Sequence, residues 1–164
     1  MSGPTSLHAT CVVVGEAGVL IRGASGAGKS KLARSLLAEA GRRGVFGRLV
    51  GDDRIAVEAA GGRLLATGHP SIAGLIEARG LGILTQPAET SCIARLIVDL
   101  VPGAEPRMPA GQDQEATVAG VRLPRLTLGP DADRADLVFH ALLRLSSGAA
   151  GAVSQSASDS APPS

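Results

Sequence analysis

Apolar residues fall in short blocks along this chain, each closed by glycine, proline or a cluster of charges. Residues 10–15, TCVVVG, are β-branched and apolar; EAG breaks the run and VLIR at 19–22 resumes it, the pattern of a hairpin. From Lys29 the apolar positions Leu32, Leu36, Leu37 and Ala40 form a helical stripe, which GRRG at 41–44 ends. RLVG (48–51) reads as a short buried strand running into Asp52 and Asp53. RIAVEA (54–59) and RLLAT (63–67) flank Gly61-Gly62, which predicts strand, two-residue turn and strand.

Residues 69–85 are broken by glycines and are expected to form a loop with short helical turns. IARLIVDL (93–100) is a strand, 102–115 a loop, and 117–128 two short strands around a turn. A final helix is predicted over 131–146, with acidic residues in its first turn and Arg144 in its last. Beyond it the chain is rich in Ser, Ala, Gly and Pro. The expected organisation is one catalytic domain, 1–147, and a disordered low-complexity tail, 148–164.

Composition narrows the classes. The 164 residues suit one domain with a real core, and 45% hydrophobic with 19% charged residues is ordinary for a globular protein. A net charge of +1 gives no broad attraction to nucleic acid or to acidic membranes. No apolar run is long enough to span a membrane, and residues 1–10 lack the pattern of a signal peptide, so a cytoplasmic location is expected. Cys11 and Cys92 show no metal-ligand spacing, and Cys11, opening an apolar run, is expected to be a buried small hydrophobe. With no Trp or Tyr and two Phe, aromatic stacking on a nucleobase has almost no donors.

The chemistry concentrates in GASGAGKS, residues 23–30. Gly23, Ala24, Ser25, Gly26, Ala27 and Gly28 can curl so that backbone N–H groups meet phosphate oxygens, and the following helix adds its positive end. Lys29 would neutralise the β- and γ-phosphates and the Ser30 hydroxyl would ligate Mg²⁺. Lys29 and Lys31 are the only lysines in a chain that otherwise uses arginine. A compact ammonium fits crowded phosphate oxygens where a planar guanidinium is wider. Such a loop also needs carboxylates. Asp99, at the end of RLIVDL, has the position of a magnesium-holding Walker B aspartate, or is a strand-end carboxylate; Asp52 and Asp53 can share one site only at a strand end or turn. Glu77 and Arg79 lie in a glycine-rich stretch able to approach a ligand, or form a surface ion pair.

These pieces in this order resemble the catalytic domain of the bacterial HPr kinase/phosphorylase family. The stretches that carry the resemblance are LHATCVVVGEAGVLIRGASGAGKS, GRLVGDDRIAV and HPSIAGLIEARGLGIL, together most of residues 7–85. The resemblance implies an α/β P-loop kinase domain of the HPr kinase/phosphoenolpyruvate carboxykinase-like type, a mixed central sheet flanked by helices. It implies an ATP- and Mg²⁺-dependent serine kinase acting on HPr or an HPr-like phosphocarrier of the phosphotransferase system. Family members often also remove that phosphate with inorganic phosphate, releasing pyrophosphate, and the family assembles as hexamers. Carried over by position, His8 and Asp52 would form the acid/base pair. Ser30, Asp53 and Glu77 would lie on the Mg²⁺ side, and Arg79 would steady phosphate charge. Lys31 stands where the family commonly has an acidic residue, and Ala9 where it has glycine. The later family loop at subunit and substrate contacts is represented only by LPRLTLGP, with Arg122 or Arg125 as candidate substitutes. Two other readings fit the loop: a nucleotide-sensing regulatory module without catalysis, and a small-metabolite kinase using Asp99 as Walker B.

Overall fold

The structure, a computed structural model, describes residues 3–107 and 111–158. In chain order it contains β1 (Thr5–Leu7), β2 (Ala9–Val14), β3 (Ala17–Arg22), α1 (Lys29–Arg43), β4 (Gly47–Gly51), β5 (Ile55–Ala60) and β6 (Arg63–Gly68). After these come β7 (Leu75–Ala78), β8 (Gly82–Thr85), β9 (Ser91–Leu100), β10 (Glu115–Val118), β11 (Val121–Leu128) and α2 (Arg134–Ser158). This is the mixed α/β architecture expected from the sequence.

The main sheet runs β1-β5-β6-β9-β3-β2-β4, and β11 joins β9 with β10 on its outer side. β9 is parallel to β3 and β11 and antiparallel to β6, so it is the mixed centre of the sheet. The sheet is curled. β6 and β4 lie four strand spacings apart in the order, roughly 19 Å if flat at about 4.8 Å each. Yet a Cβ added to Gly68 at the end of β6 would lie 2.0 Å from the Val50 carbonyl oxygen of β4. The two glycine-bearing strand ends therefore touch, and only a backbone without side chains permits it.

Alternation along the strands separates two cores. Val12 and Val14 of β2, Val19 and Ile21 of β3, and Val98 and Leu100 of β9 pack beneath α1 and α2 with Leu32, Leu36 and Phe139. Cys11, Val13, Leu20 and Ile97 point the other way, into the curl, with Val50, Ile55 and Leu64. Between Ala94 and Leu96 the pairing with β3 shifts, so Arg95 is an extra residue and the facing of β9 flips. Cys11 is fully buried in the inner core, its sulfur 3.6 Å from that of Cys92, and both are free thiols. The Cys92 contact and burial push the Cys11 thiol well up, as befits an inert packing residue.

Two elements differ from the sequence expectation. Residues 69–85 hold a 3₁₀ turn at Pro70–Ile72 and a hairpin, β7–β8, instead of a loop alone. Its glycines sit at the turns with positive φ, and Ile76 and Ala78 alternate inward while Leu75 and Glu77 face out. The last helix continues to Ser158, where a disordered tail from 148 was expected. Ala149, Ala150 and Ala152 have the highest intrinsic helix propensity and carry it on. Residues 159–164 of that expected tail lie outside the described residues.

Gly68→Ala should lower unfolding free energy by about 3 kcal/mol or more in urea titration, because its methyl would overlap the β4 backbone. Gly41→Ala, in α1 with nothing near the added methyl, should instead stabilise by about 1 kcal/mol.

Candidate functional site

The phosphate loop connects β3 to α1, and its last glycine, Gly28, precedes the helix with φ +102°. Lys29 is 6% exposed, and its ammonium donates to the Gly23 and Ala24 carbonyl oxygens at 2.9 and 3.1 Å. It is thus held over the loop by the loop's own backbone. Strand alternation places Thr10 on the same face as Val12 and Val14, toward α1, and it is fully buried there.

Asp52 gathers the neighbours. It is 8% exposed; its Oδ1 accepts from the Thr10 hydroxyl at 2.8 Å and the Ser30 hydroxyl at 2.7 Å. Its Oδ2 accepts from the backbone N–H of Glu77 at 3.0 Å. One carboxylate therefore ties β2, α1 and β7 together. The next residue, Asp53, turns back with φ +68°, a conformation that Asp tolerates better than most side chains. Its N–H donates to the Thr10 hydroxyl at 3.4 Å, and its carboxylate pairs with His8 Nε2 at 2.9 Å. Both side chains of that pair are open to solvent, 59% and 63% exposed.

Of the residues carried over by position, His8 meets Asp53, while Asp52 faces Ser30. The reason is the left-handed turn. It sends the first carboxylate inward beneath the loop and the second outward beside β1 and β2.

An open cleft of about 640 Å³ runs along the loop. Lys29, Lys31, Arg34, Arg79 and Arg134 line it against Asp53 and Glu77, an excess of cations suited to a polyanion. Arg34 Nε is buried with no hydrogen-bond partner among the described residues, an unmet donor on that wall. The donors around Ser30 are hard oxygens, the Asp52 carboxylate and the Ser30 hydroxyl, with Glu77 beside Asp52 and lining the cleft; such a set fits Mg²⁺ shared with phosphates. Among the described residues no group of three or more His, Cys, Asp and Glu side chains is placed as an all-protein metal cage.

Asp99 is not placed as a Walker B residue. It shares the facing of Ile97, into the curl and away from α1. Arg22 grips it with two hydrogen bonds of 2.7 and 2.8 Å, and Arg125 Nε adds a third at 2.6 Å. Burial alone would raise its pKa; the hydrogen bonds and charges of Arg22 and then Arg125 outweigh burial and hold it below the usual value. This removes the basis for a metabolite kinase built on Asp99. It also gives Arg125 a structural partner, while Arg122 pairs with Glu115.

Sequence reasoning missed Thr10 and Arg134. Thr10 could have been flagged as a polar residue at a core-facing position of an apolar strand. Arg134 carried no local signal, since it reaches the loop from 107 residues further along the chain, donating to the Ala27 carbonyl oxygen at 2.8 Å.

Comparison with known proteins gives this constellation a family. The model of the HPr serine kinase C-terminal domain matches residues 1–88, just over half of the 164-residue chain. The chain belongs to this family. An HPr kinase/phosphorylase of Azoarcus is 36% identical over 141 residues, covering 79% of this chain and 43% of that protein. The Clostridium tetani HPr kinase/phosphorylase is 39% identical over 84 residues, covering 51% of this chain and 26% of that one. The chain thus spans less than half the length of these curated relatives. A solved structure, the HPr(Ser) kinase/phosphatase of Coxiella burnetii, superposes with TM-score 0.71 over 96% of this chain and 99% of that one, at 21% identity. At that identity the likeness establishes the fold. The family match ends at Ala88, so β9 to α2 are placed by the three-dimensional fold and not by the family model. No helix among the described residues is long and apolar enough to cross a membrane.

Asp99→Asn should cost about 2 kcal/mol at neutral pH, since two guanidinium groups lose their partner. Because the folded pKa is depressed, the carboxylate's stabilisation is present above its unfolded value of about 3.9 and fades as pH falls through the folded value. Acid titration of thermal stability should therefore show a shallower loss in Asp99→Asn than in the wild type.

Proposed function

We propose that this chain is the catalytic unit of an ATP- and Mg²⁺-dependent protein serine kinase whose acceptor is HPr or an HPr-like phosphocarrier. The observation that carries this reading is the solvent-open His8–Asp53 pair at the mouth of the phosphate loop, linked through Thr10 to the buried Asp52–Ser30 contact. An exposed carboxylate beside the phosphates can meet a hydroxyl presented by another protein; a buried one cannot.

In this reading Asp53 accepts the proton of the acceptor serine, and His8 holds that carboxylate in place. The serine oxygen bonds to the γ-phosphorus as the bond to the β,γ-bridging oxygen breaks, and ADP leaves. Lys29, the loop N–H groups and Arg79 offset the charge that develops on the phosphate oxygens. Bound Mg²⁺ would be held by Asp52 and Ser30 with Glu77 nearby, and would supply neutralisation of the β- and γ-phosphates. Run with inorganic phosphate attacking phosphoserine, the same site would release pyrophosphate, with Asp53 returning a proton to the serine oxygen. Catalytic weight thus moves from Asp52 to Asp53, while Asp52 joins Ser30 and Glu77 on the metal side.

Intact-mass measurement of HPr incubated with the protein and Mg-ATP checks this directly. Wild type should add one phosphate, and Asp53→Asn should slow the addition by about 10²- to 10⁴-fold while still binding Mg-ATP. Asp52→Asn should weaken Mg-ATP binding itself. Wild-type transfer by Asp53→Asn would overturn the assignment of the base.

A further inference from the structure

The segment after β9 lies beyond the residues matched by the family model, yet hydrogen bonds connect it to the phosphate loop. Its contact point is Gly129, buried at the end of β11. A Cβ there would lie 2.5 Å from both the Gly103 carbonyl oxygen and the Glu105 carboxylate, so residues 103–105 pack directly on this backbone. Glu105 Oε2 accepts from the Gly129 N–H at 2.9 Å. On the other side of the same residue, the Gly129 carbonyl oxygen accepts from Arg134 Nε at 2.9 Å. Arg134 Nη1 then donates to the Ala27 carbonyl oxygen at 2.8 Å. The chain of contacts runs from Glu105 through Gly129 and Arg134 into the loop.

Its last link acts on one peptide unit. The Ala27 carbonyl and the Gly28 N–H belong to the same trans peptide, so they point to opposite sides of it. Gly28 stands at φ +102°, and glycine takes either sign of φ at no steric cost, so this peptide can turn over unless its carbonyl is held. The groups on either side are fixed within the loop and helix: the Ala27 N–H donates to the Ala24 carbonyl at 3.0 Å, and the Gly28 carbonyl accepts from the Leu32 N–H at 2.9 Å. The peptide between them is held by Arg134. Gly28 also permits that approach, since a Cβ there would lie 2.8 Å from Nη1. A long arginine side chain has many rotamers, and the Gly129 carbonyl that Glu105 keeps in place selects one of them.

We infer that Glu105 is a positioning residue for nucleotide binding: through Gly129 and Arg134 it keeps the Ala27–Gly28 peptide oriented with its N–H toward the phosphates. The inference rests on the nucleotide reading of the phosphate loop.

The Gly28 amide resonance of the unliganded protein reads this relay directly, and calorimetric binding of Mg-ATP reads its consequence. In Glu105→Ala the resonance should shift or broaden, and Mg-ATP affinity should fall about tenfold. Glu105→Gln keeps an acceptor for the Gly129 N–H and should recover most of that loss. In an Arg134→Ala background, Glu105→Ala should cost nothing further, because the link it acts through is gone. A merely structural Glu105 would leave the Gly28 resonance in place, or add its loss to that of Arg134→Ala; either result overturns the inference alone. Glu105→Ser, too short to reach Gly129, takes the place of Glu105→Ala should that variant fail to fold. A wild type that does not bind Mg-ATP would overturn the nucleotide reading and this role for Glu105 together.

Discussion

The site is organised around one carboxylate that never meets solvent freely. Asp52 accepts from the Thr10 hydroxyl, the Ser30 hydroxyl and the Glu77 amide, and those donors belong to three different elements. A buried donor left without its acceptor costs far more than an ordinary hydrogen bond contributes, so all three elements are bound to one geometry. The phosphate loop's Ser30, strand β2 and the β7–β8 hairpin cannot shift independently.

The pairing of β4 beside β2 is what lets this happen: Cys11 stands opposite Gly51, so the β4–β5 turn that carries Asp52 begins next to Thr10. The curl of the sheet creates an inner face, and it is there that Asp99 is taken up by Arg22 and Arg125. Two aspartates that both end apolar runs thus have opposite fates. One lies beneath the phosphate loop, and the other is neutralised on the far side of the sheet.

The C-terminal half contributes more to the cleft than its sequence suggests. Gly129 is clamped by Glu105, whose carboxylate accepts from its N–H at 2.9 Å, and Arg134 then bridges this turn to the phosphate loop. α2 packs its Val138 and Phe139 into the outer core, which sets the angle from which Arg134 reaches across. The wall of the cleft opposite α1 is therefore held by packing at a distance as well as by the loop itself.

By itself the sequence determined the parts whose physics is local. Hydrophobic alternation marked most strands of the main sheet, the glycines and Lys29-Ser30 marked the phosphate loop, and the adjacent aspartates marked the turn beside it. It under-read β1 and the β7–β8 hairpin, because strands of three and four residues are too short to carry a periodic signal. Which aspartate faces the loop, and which meets His8, depends on a single positive φ at Asp53, and no residue pattern encodes that angle. The inward facing of Asp99 depends on the extra residue Arg95 in β9, and the reach of Arg134 depends on how α2 docks. Those choices belong to the tertiary structure, because they come from contacts between segments tens of residues apart, whose energies no local stretch contains.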